Sequence, residues 1–189
     1  MRKLLHSIAD IRTGHTFRVK IEEDPKGDIP VLQIKELKDR DALNSDNLSR
    51  INWHSVKEAA TVQVSDILLP ARGEYYKAAI WQGREPAIAT SQLFVLTTKT
   101  KAVTPKYLCW YLNQETAQHY FLTHRSGTNI PMLNKQSLGT LPVPIPPLET
   151  QAKIVAIQQC WKQEKQLTEQ LLTNREQMLK GIFQHLLEQ

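Results

Sequence analysis

Two polar turns hold the side chains in this chain best suited to chemistry. The first is Arg72-Gly73-Glu74-Tyr75-Tyr76-Lys77, which lies between two apolar runs. The second is His124-Arg125-Ser126-Gly127-Thr128-Asn129. Cations that meet phosphates, together with Arg, Asn, Ser and Thr donors that reach base edges, are what binding to a nucleic acid requires. Arg72, Gly73, Tyr75, Tyr76 and Lys77 in the first turn, and Arg125, Ser126, Thr128 and Asn129 in the second, are therefore the candidate contacts. The alternative for each is an exposed loop residue that touches nothing.

Catalytic constellations are missing. The chain has no phosphate-binding glycine loop, no G-x-G-x-x-G, no H-E-x-x-H and no G-x-S-x-G. Seven glycines leave no segment for a cofactor loop. His119 and His124 stand five residues apart, off the spacing that puts two metal ligands on one helix face, so they read as solvated helix residues and no metal site is expected. Asp66 and Glu74 resemble a nuclease carboxylate pair, but no Glu-x-Lys partner accompanies them.

The bulk properties agree with binding. Of 189 residues, 41% are hydrophobic and 23% charged, the balance of a globular domain with one core. The net charge is +5, and most of it falls within residues 1–149, which hold 19 basic and 15 acidic side chains against 5 and 4 in the remainder. A modest positive excess permits nucleic-acid binding without establishing it. Cys109 and Cys160 fit no metal or redox spacing and read as two reduced thiols of a cytoplasmic protein. No signal-peptide core and no run of about 20 apolar residues occurs, so no membrane association is expected.

The elements that must carry these turns can be read in order. Leu4, Leu5, Ile8 and Ile11 suggest a short helix stopped at Thr13-Gly14. Residues 29–34 form a strand and residues 35–55 a solvated polar loop, with a loop that faces DNA as the functional alternative. Short apolar runs at 61–64, 67–69, 78–81, 87–89 and 92–96, with turn signals about every ten residues, predict a compact, highly bent sheet or barrel. Thr104-Pro105 opens a helix whose aromatic stripe, from Tyr107 to Leu122, packs on that sheet. Asn134 to Leu138 reads as a capped helical turn and 141–145 as a strand. From Glu149 to Glu188 there is no proline and one glycine, which predicts a helix of about 40 residues, roughly 60 Å long. Its apolar residues, Ile154, Ile157, Trp161, Leu171, Met178 and Ile182 among them, recur at steps of three and four, with a break at 162–166. Such a stripe must fold back or pair with another helix. The pattern predicts an irregular antiparallel or mixed pair rather than a long zipper, since a strict heptad is not sustained. The fold class is α+β, a β-rich, highly bent-sheet domain with packed helices followed by a long C-terminal helix.

The string SGTNIPMLNKQSLGTLPVPIPPLETQAKIVAI resembles the end of a target recognition domain and the start of the following helix in specificity subunits of type I restriction-modification systems. Leu141, Pro144, Pro146, Pro147, Leu148, Gln151 and Ile154 occupy the places of that family's ordered pattern. Asp66-Ile67-Leu68-Leu69 with Arg72-Gly73 is similar to its strand and turn, and Ile8-Ala9-Asp10-Ile11, Thr13-Gly14 and Ile29-Pro30 to its opening. The likeness is weakest at 15–60, where a specificity domain is expected to differ from its relatives.

The resemblance implies a recognition domain at 1–148 and a spacer or dimerisation helix at 149–189. It implies a non-catalytic subunit that grips one half of a bipartite site on double-stranded DNA and docks methyltransferase and restriction subunits. No cofactor belongs to the chain itself, S-adenosylmethionine being expected on the methyltransferase partner. Family members normally hold two recognition domains in tandem, whereas this chain holds one. A homodimer joined through the C-terminal helix is the simplest source of the second, and it predicts a palindromic site. The rival reading makes the helix a scaffold or interaction element and the domain a remnant without DNA affinity.

Overall fold

The computed structural model describes residues 1–17, 21–38, 40–53, 61–127 and 131–188. It divides into two compact units, Met1–Gln151 and Ala152–Gln189. The first unit is α+β. Its strands are β1 (Arg2–Leu4), β2 (Ala9–Thr13), β3 (Ile29–Leu32), β4 (Ala42–Leu43), β5 (Arg50–Ile51), β6 (Thr61–Val62), β7 (Ile67–Pro70), β8 (Ala79–Trp81), β9 (Ala87–Ala89), β10 (Leu93–Thr98) and β11 (Pro142–Pro144). Its helices are α1 (Leu5–Ile8), α2 (Pro105–Leu112), α3 (Glu115–His124) and α4 (Lys135–Gly139). The long helix is α5, Leu148–Leu187.

The strands make three sheets. One has the order β2-β10-β7-β8-β4, a second β5-β3-β9-β6, and β1 pairs with β11 alone. Several strands are buried along their whole length, as the continuous apolar runs require. The core collects Leu32, Leu43, Val62, Leu68, Trp81, Leu93 and Val95 from both larger sheets, with Leu37 from the 3-10 turn at Ile34–Leu37.

Two readings of residue order needed more than spacing. Of the N-terminal apolar set, only Leu5–Ile8 is helical. Ile11 lies on β2, opposite Leu96 of β10. A step of three residues suits one helical turn or a turn running into a strand, and the pairing with β10 decides it. The aromatic stripe is also two helices rather than one. The break falls at Asn113 and Gln114, where the Asn113 side chain takes over strand-like bonding: its Nδ2 donates to the Ala78 carbonyl at 2.9 Å and its Oδ1 accepts from the Ala78 amide at 2.8 Å. The stripe is otherwise core as expected, with Tyr107, Leu108, Tyr111 and Phe121 buried. Leu122 is exposed. Tyr107 and Tyr111 donate from their hydroxyls to the carbonyls of Pro144 and Pro142, which fastens β11 to α2.

The caps read from sequence are formed. Thr104 accepts from the Tyr107 amide, and Asn134 accepts from the Ser137 amide at 2.7 Å. At the root of α5, Gln151 is fully buried. Its amide nitrogen donates to the carbonyls of Ala102 and Pro146, and its oxygen accepts from the Thr104 amide. No helix among the described residues is long and apolar enough to cross a membrane.

Gly14 is required by space. A Cβ there would lie 2.5 Å from the Ala89 carbonyl oxygen and also inside contact distance of the Thr90 oxygen, both backbone atoms. We expect Gly14→Ala to destabilise the domain by about 2 kcal/mol, since the facing backbone of Ala89 and Thr90 resists displacement. Thermal unfolding followed by circular dichroism checks this, and an unchanged midpoint would mean that β2 shifts freely.

Candidate nucleic-acid interface

The chain leaves β7 at Pro70 and enters the first polar turn. Ala71 is buried, Arg72 is half-buried and Gly73 takes φ +110° with open space around it, so the glycine serves the backbone conformation rather than a close approach. The second turn follows α3, where Ser126 and Gly127 are exposed and Gly127 also has a positive φ, 104°.

A short segment, residues 131–133, ties the two turns together. The Leu133 amide donates to the Ala71 carbonyl at 2.8 Å, and the Gly73 amide donates to the Pro131 carbonyl at 3.1 Å. On its other side, Met132 and Ser126 exchange amide-to-carbonyl bonds, each 2.8 Å. Met132 is thus bridged to Arg72 and to Ser126, in antiparallel fashion both times. Turns more than 50 residues apart in sequence become one surface, held by main chain rather than by mobile side chains.

The candidate residues divide on this surface. Tyr75 is 81% exposed, with its ring available to a partner. Arg72 and Arg125 are half-buried, and neither is held by a carboxylate among the described residues. Thr128 and Asn129 lie outside the described residues.

One expectation needs correction. Tyr76 is fully buried, packed on Phe121 with ring centroids 5.8 Å apart, so it is core and no base can stack on it. Burial pushes its phenol upward from the ordinary value, with the Arg125 charge opposing. Its neighbour Tyr75 is turned outward, so the two adjacent tyrosines play different parts. Lys77 faces Asp41 at 3.5 Å, so its charge is already partly answered within the domain.

Met132 was missed. Its side chain is 50% exposed at the centre of the joined surface. The only signal in the sequence is a short apolar run, Ile130 to Leu133, just after the second polar turn, and the neighbours of Met132 in space include a distant part of the chain.

Residues 40–51 are more ordered than a solvated loop. Arg50, on β5, meets Glu85 through two bonds of 2.8 and 2.9 Å and also donates to the carbonyls of Gly27 and Asp28. The Arg50 hydrogen bonds hold the Glu85 carboxyl below its ordinary value; the Arg50 charge and a bond from Ser45 add to this, and burial opposes it. A depressed carboxyl contributes stability above its unfolded value, near 4.5, and loses it as pH falls through the lower folded value. The melting temperature of the parent should therefore exceed that of Glu85→Gln at neutral pH, and the gap should close below about pH 4.5. A gap that stays constant on acidification would contradict the pairing.

The carboxylates weighed for catalysis are separated. Asp66 is buried and fully engaged by Arg12, Thr97 and the Gln63 amide, while Glu74 is exposed. His119 and His124 are exposed, and His124 stacks on Tyr120 with ring centroids 3.8 Å apart.

On α5 the residues read as a pairing face are uncovered within the chain. Ile157 is 70% exposed and Trp161 57%; Leu171, Met178 and Ile182 are exposed too, and Ile154 is half-buried. Exposed apolar residues repeated along one helix mark an interaction surface.

The family model described as the type I restriction modification DNA specificity domain matches residues 2–174. Among solved structures, a chain of a type I R-M system complex superimposes over 96% of this chain and 43% of its own length, with TM-score 0.71 and 18% identity. The HsdS subunit from Thermoanaerobacter tengcongensis matches over 87% of this chain and 37% of its own, with TM-score 0.62 and 18% identity. The type-I S subunit from M. genitalium matches over 86% and 39%, with TM-score 0.57 and 13% identity. At these identities the likeness is one of fold, and the chain spans less than half the length of each of these structures. No curated protein matches it.

Proposed function

We propose that this chain, which belongs to the family of type I restriction modification DNA specificity domains, is a sequence-recognition subunit that brings methyltransferase and restriction subunits to a bipartite site on double-stranded DNA. Recognition falls to the surface joined by residues 131–133, with Arg72 and Arg125 toward phosphates and Tyr75, Ser126 and Met132 toward the grooves. The observation that carries this reading is the main-chain strap that merges two separately legible polar turns into one exposed face.

The chain does no chemistry in this reading. Methyl transfer, with its S-adenosylmethionine, and cleavage are left to the partner subunits. In this reading a second copy of the recognition domain occupies the other half of the bipartite site. The exposed apolar residues of α5 support a homodimer formed through that helix. Two-fold symmetry in the protein calls for two-fold symmetry in the DNA site.

The test is binding of the chain, with its methyltransferase partner, to duplex DNA across a salt series. Phosphate contacts make affinity fall linearly on logarithmic axes as salt rises, by about 0.9 per contact. Binding that is absent at low salt, or that ignores salt, would contradict the reading and favour a helical scaffold.

A further inference from the structure

We propose that α5 pairs with α5 of a second copy in one antiparallel register, about a two-fold axis between Glu169 and Gln170, in which Glu164 of each copy faces Arg175 of the other. The inference rests on the self-association reading above and gives it a register and an orientation.

Counted by apolar residues alone, the stripe on α5 is broken. Counted by position it is not. Ile157, Trp161, Glu164 and Thr168 follow one another at alternating steps of four and three. Leu171, Arg175, Met178 and Ile182 continue the alternation without a slip. This is the heptad seam of a two-helix coiled coil, with Glu164, Thr168 and Arg175 as its polar members.

The seam is mirror-symmetric. Inverting it about the point between Glu169 and Gln170 sets Ile157 opposite Ile182, Trp161 opposite Met178, Glu164 opposite Arg175, and Thr168 opposite Leu171. Both charged residues are exposed on α5, and neither is in an ion pair with a described residue of its own chain. Each therefore finds its counter-charge in the second copy.

The alternatives leave charges unanswered. A parallel pair in register stacks Glu164 on Glu164 and Arg175 on Arg175, placing like charges in the seam. Sliding the antiparallel pair by one heptad sets Glu164 against Ile182 or Thr168, and Arg175 against Leu171 or Ile157. An ion pair withdrawn from water adds little net stability, but leaving either member unpaired is costly, so such pairs select register and orientation.

The test is sedimentation equilibrium of the full chain as the parent, Glu164→Arg, Arg175→Glu and the double variant. Either single change makes both charged layers repulsive, and the dimer dissociation constant should rise about tenfold or more. The double variant restores opposite charges in the antiparallel register and should return to within about threefold of the parent. A parallel pair would gain nothing from the double change. Helix content should be unaltered throughout, since both side chains are exposed. Single variants that dimerise as tightly as the parent, or a double variant no tighter than the singles, would overturn the register while leaving self-association intact. A parent that stays monomeric at every concentration would remove the self-association reading and this inference with it.

Discussion

The variant Asp66→Ala will melt about 6–12 °C below the parent, the equivalent of about 3 kcal/mol for a domain of this size. Asp66 is 2% exposed and sits at the start of β7, where three donors converge. Arg12 Nη2 donates to its Oδ2 at 2.7 Å, Thr97 Oγ1 to its Oδ1 at 2.6 Å, and the Gln63 amide to its Oδ2 at 2.9 Å. These bonds join β2, β7, β10 and the turn after β6 through one carboxylate. Alanine removes the acceptor shared by three donors, so three hydrogen bonds to one charged group are lost at once. Asp66→Asn keeps one acceptor oxygen and should lose about half as much. A midpoint within about 2 °C of the parent for Asp66→Ala would mean that the carboxylate is not what joins these strands.

The second large effect concerns DNA. Replacing Arg72 and Arg125 together by Gln should weaken binding to a cognate duplex about 100-fold, each charged hydrogen bond being worth about 1.5 kcal/mol. The slope of affinity against salt should fall by about 2, one for each phosphate left without its arginine. Lys77→Gln is the internal comparison. Its ammonium faces Asp41 at 3.5 Å, so its removal should change affinity little. Melting temperatures of both variants distinguish a weakened DNA face from an unfolded domain, a needed check because Arg125 also lies beside the buried Tyr76 phenol. Equal weakening by Lys77→Gln and by the double variant would place the binding face elsewhere.

Much of this was legible in residue order, because much of it is local. Strands β7, β9 and β10 are short apolar runs between turn residues, and the caps at Thr104 and Asn134 are set by groups within three residues. The long helix follows from composition. What could not be read is non-local. Nothing near Arg72 indicates that its neighbour across the surface is Met132, since that pairing depends on where α3 delivers the chain. The break between α2 and α3 depends on Asn113 finding Ala78, a partner 35 residues away. Tyr75 and Tyr76 look equivalent as letters, yet one is exposed and the other lies in the core against Phe121, a partner 45 residues further along the chain. On α5 the opposite failing occurs: the heptad is fully present in the sequence, but polar members hide it when only apolar residues are counted.

The central claim, that this chain directs methylation to a DNA sequence as a symmetric pair, is tested most directly by single-molecule sequencing of methylated bases in cells expressing the chain with its methyltransferase subunit. The account predicts a bipartite palindromic motif methylated on both strands. No methylated motif, with the same methyltransferase shown to be active alongside another specificity subunit, would contradict it.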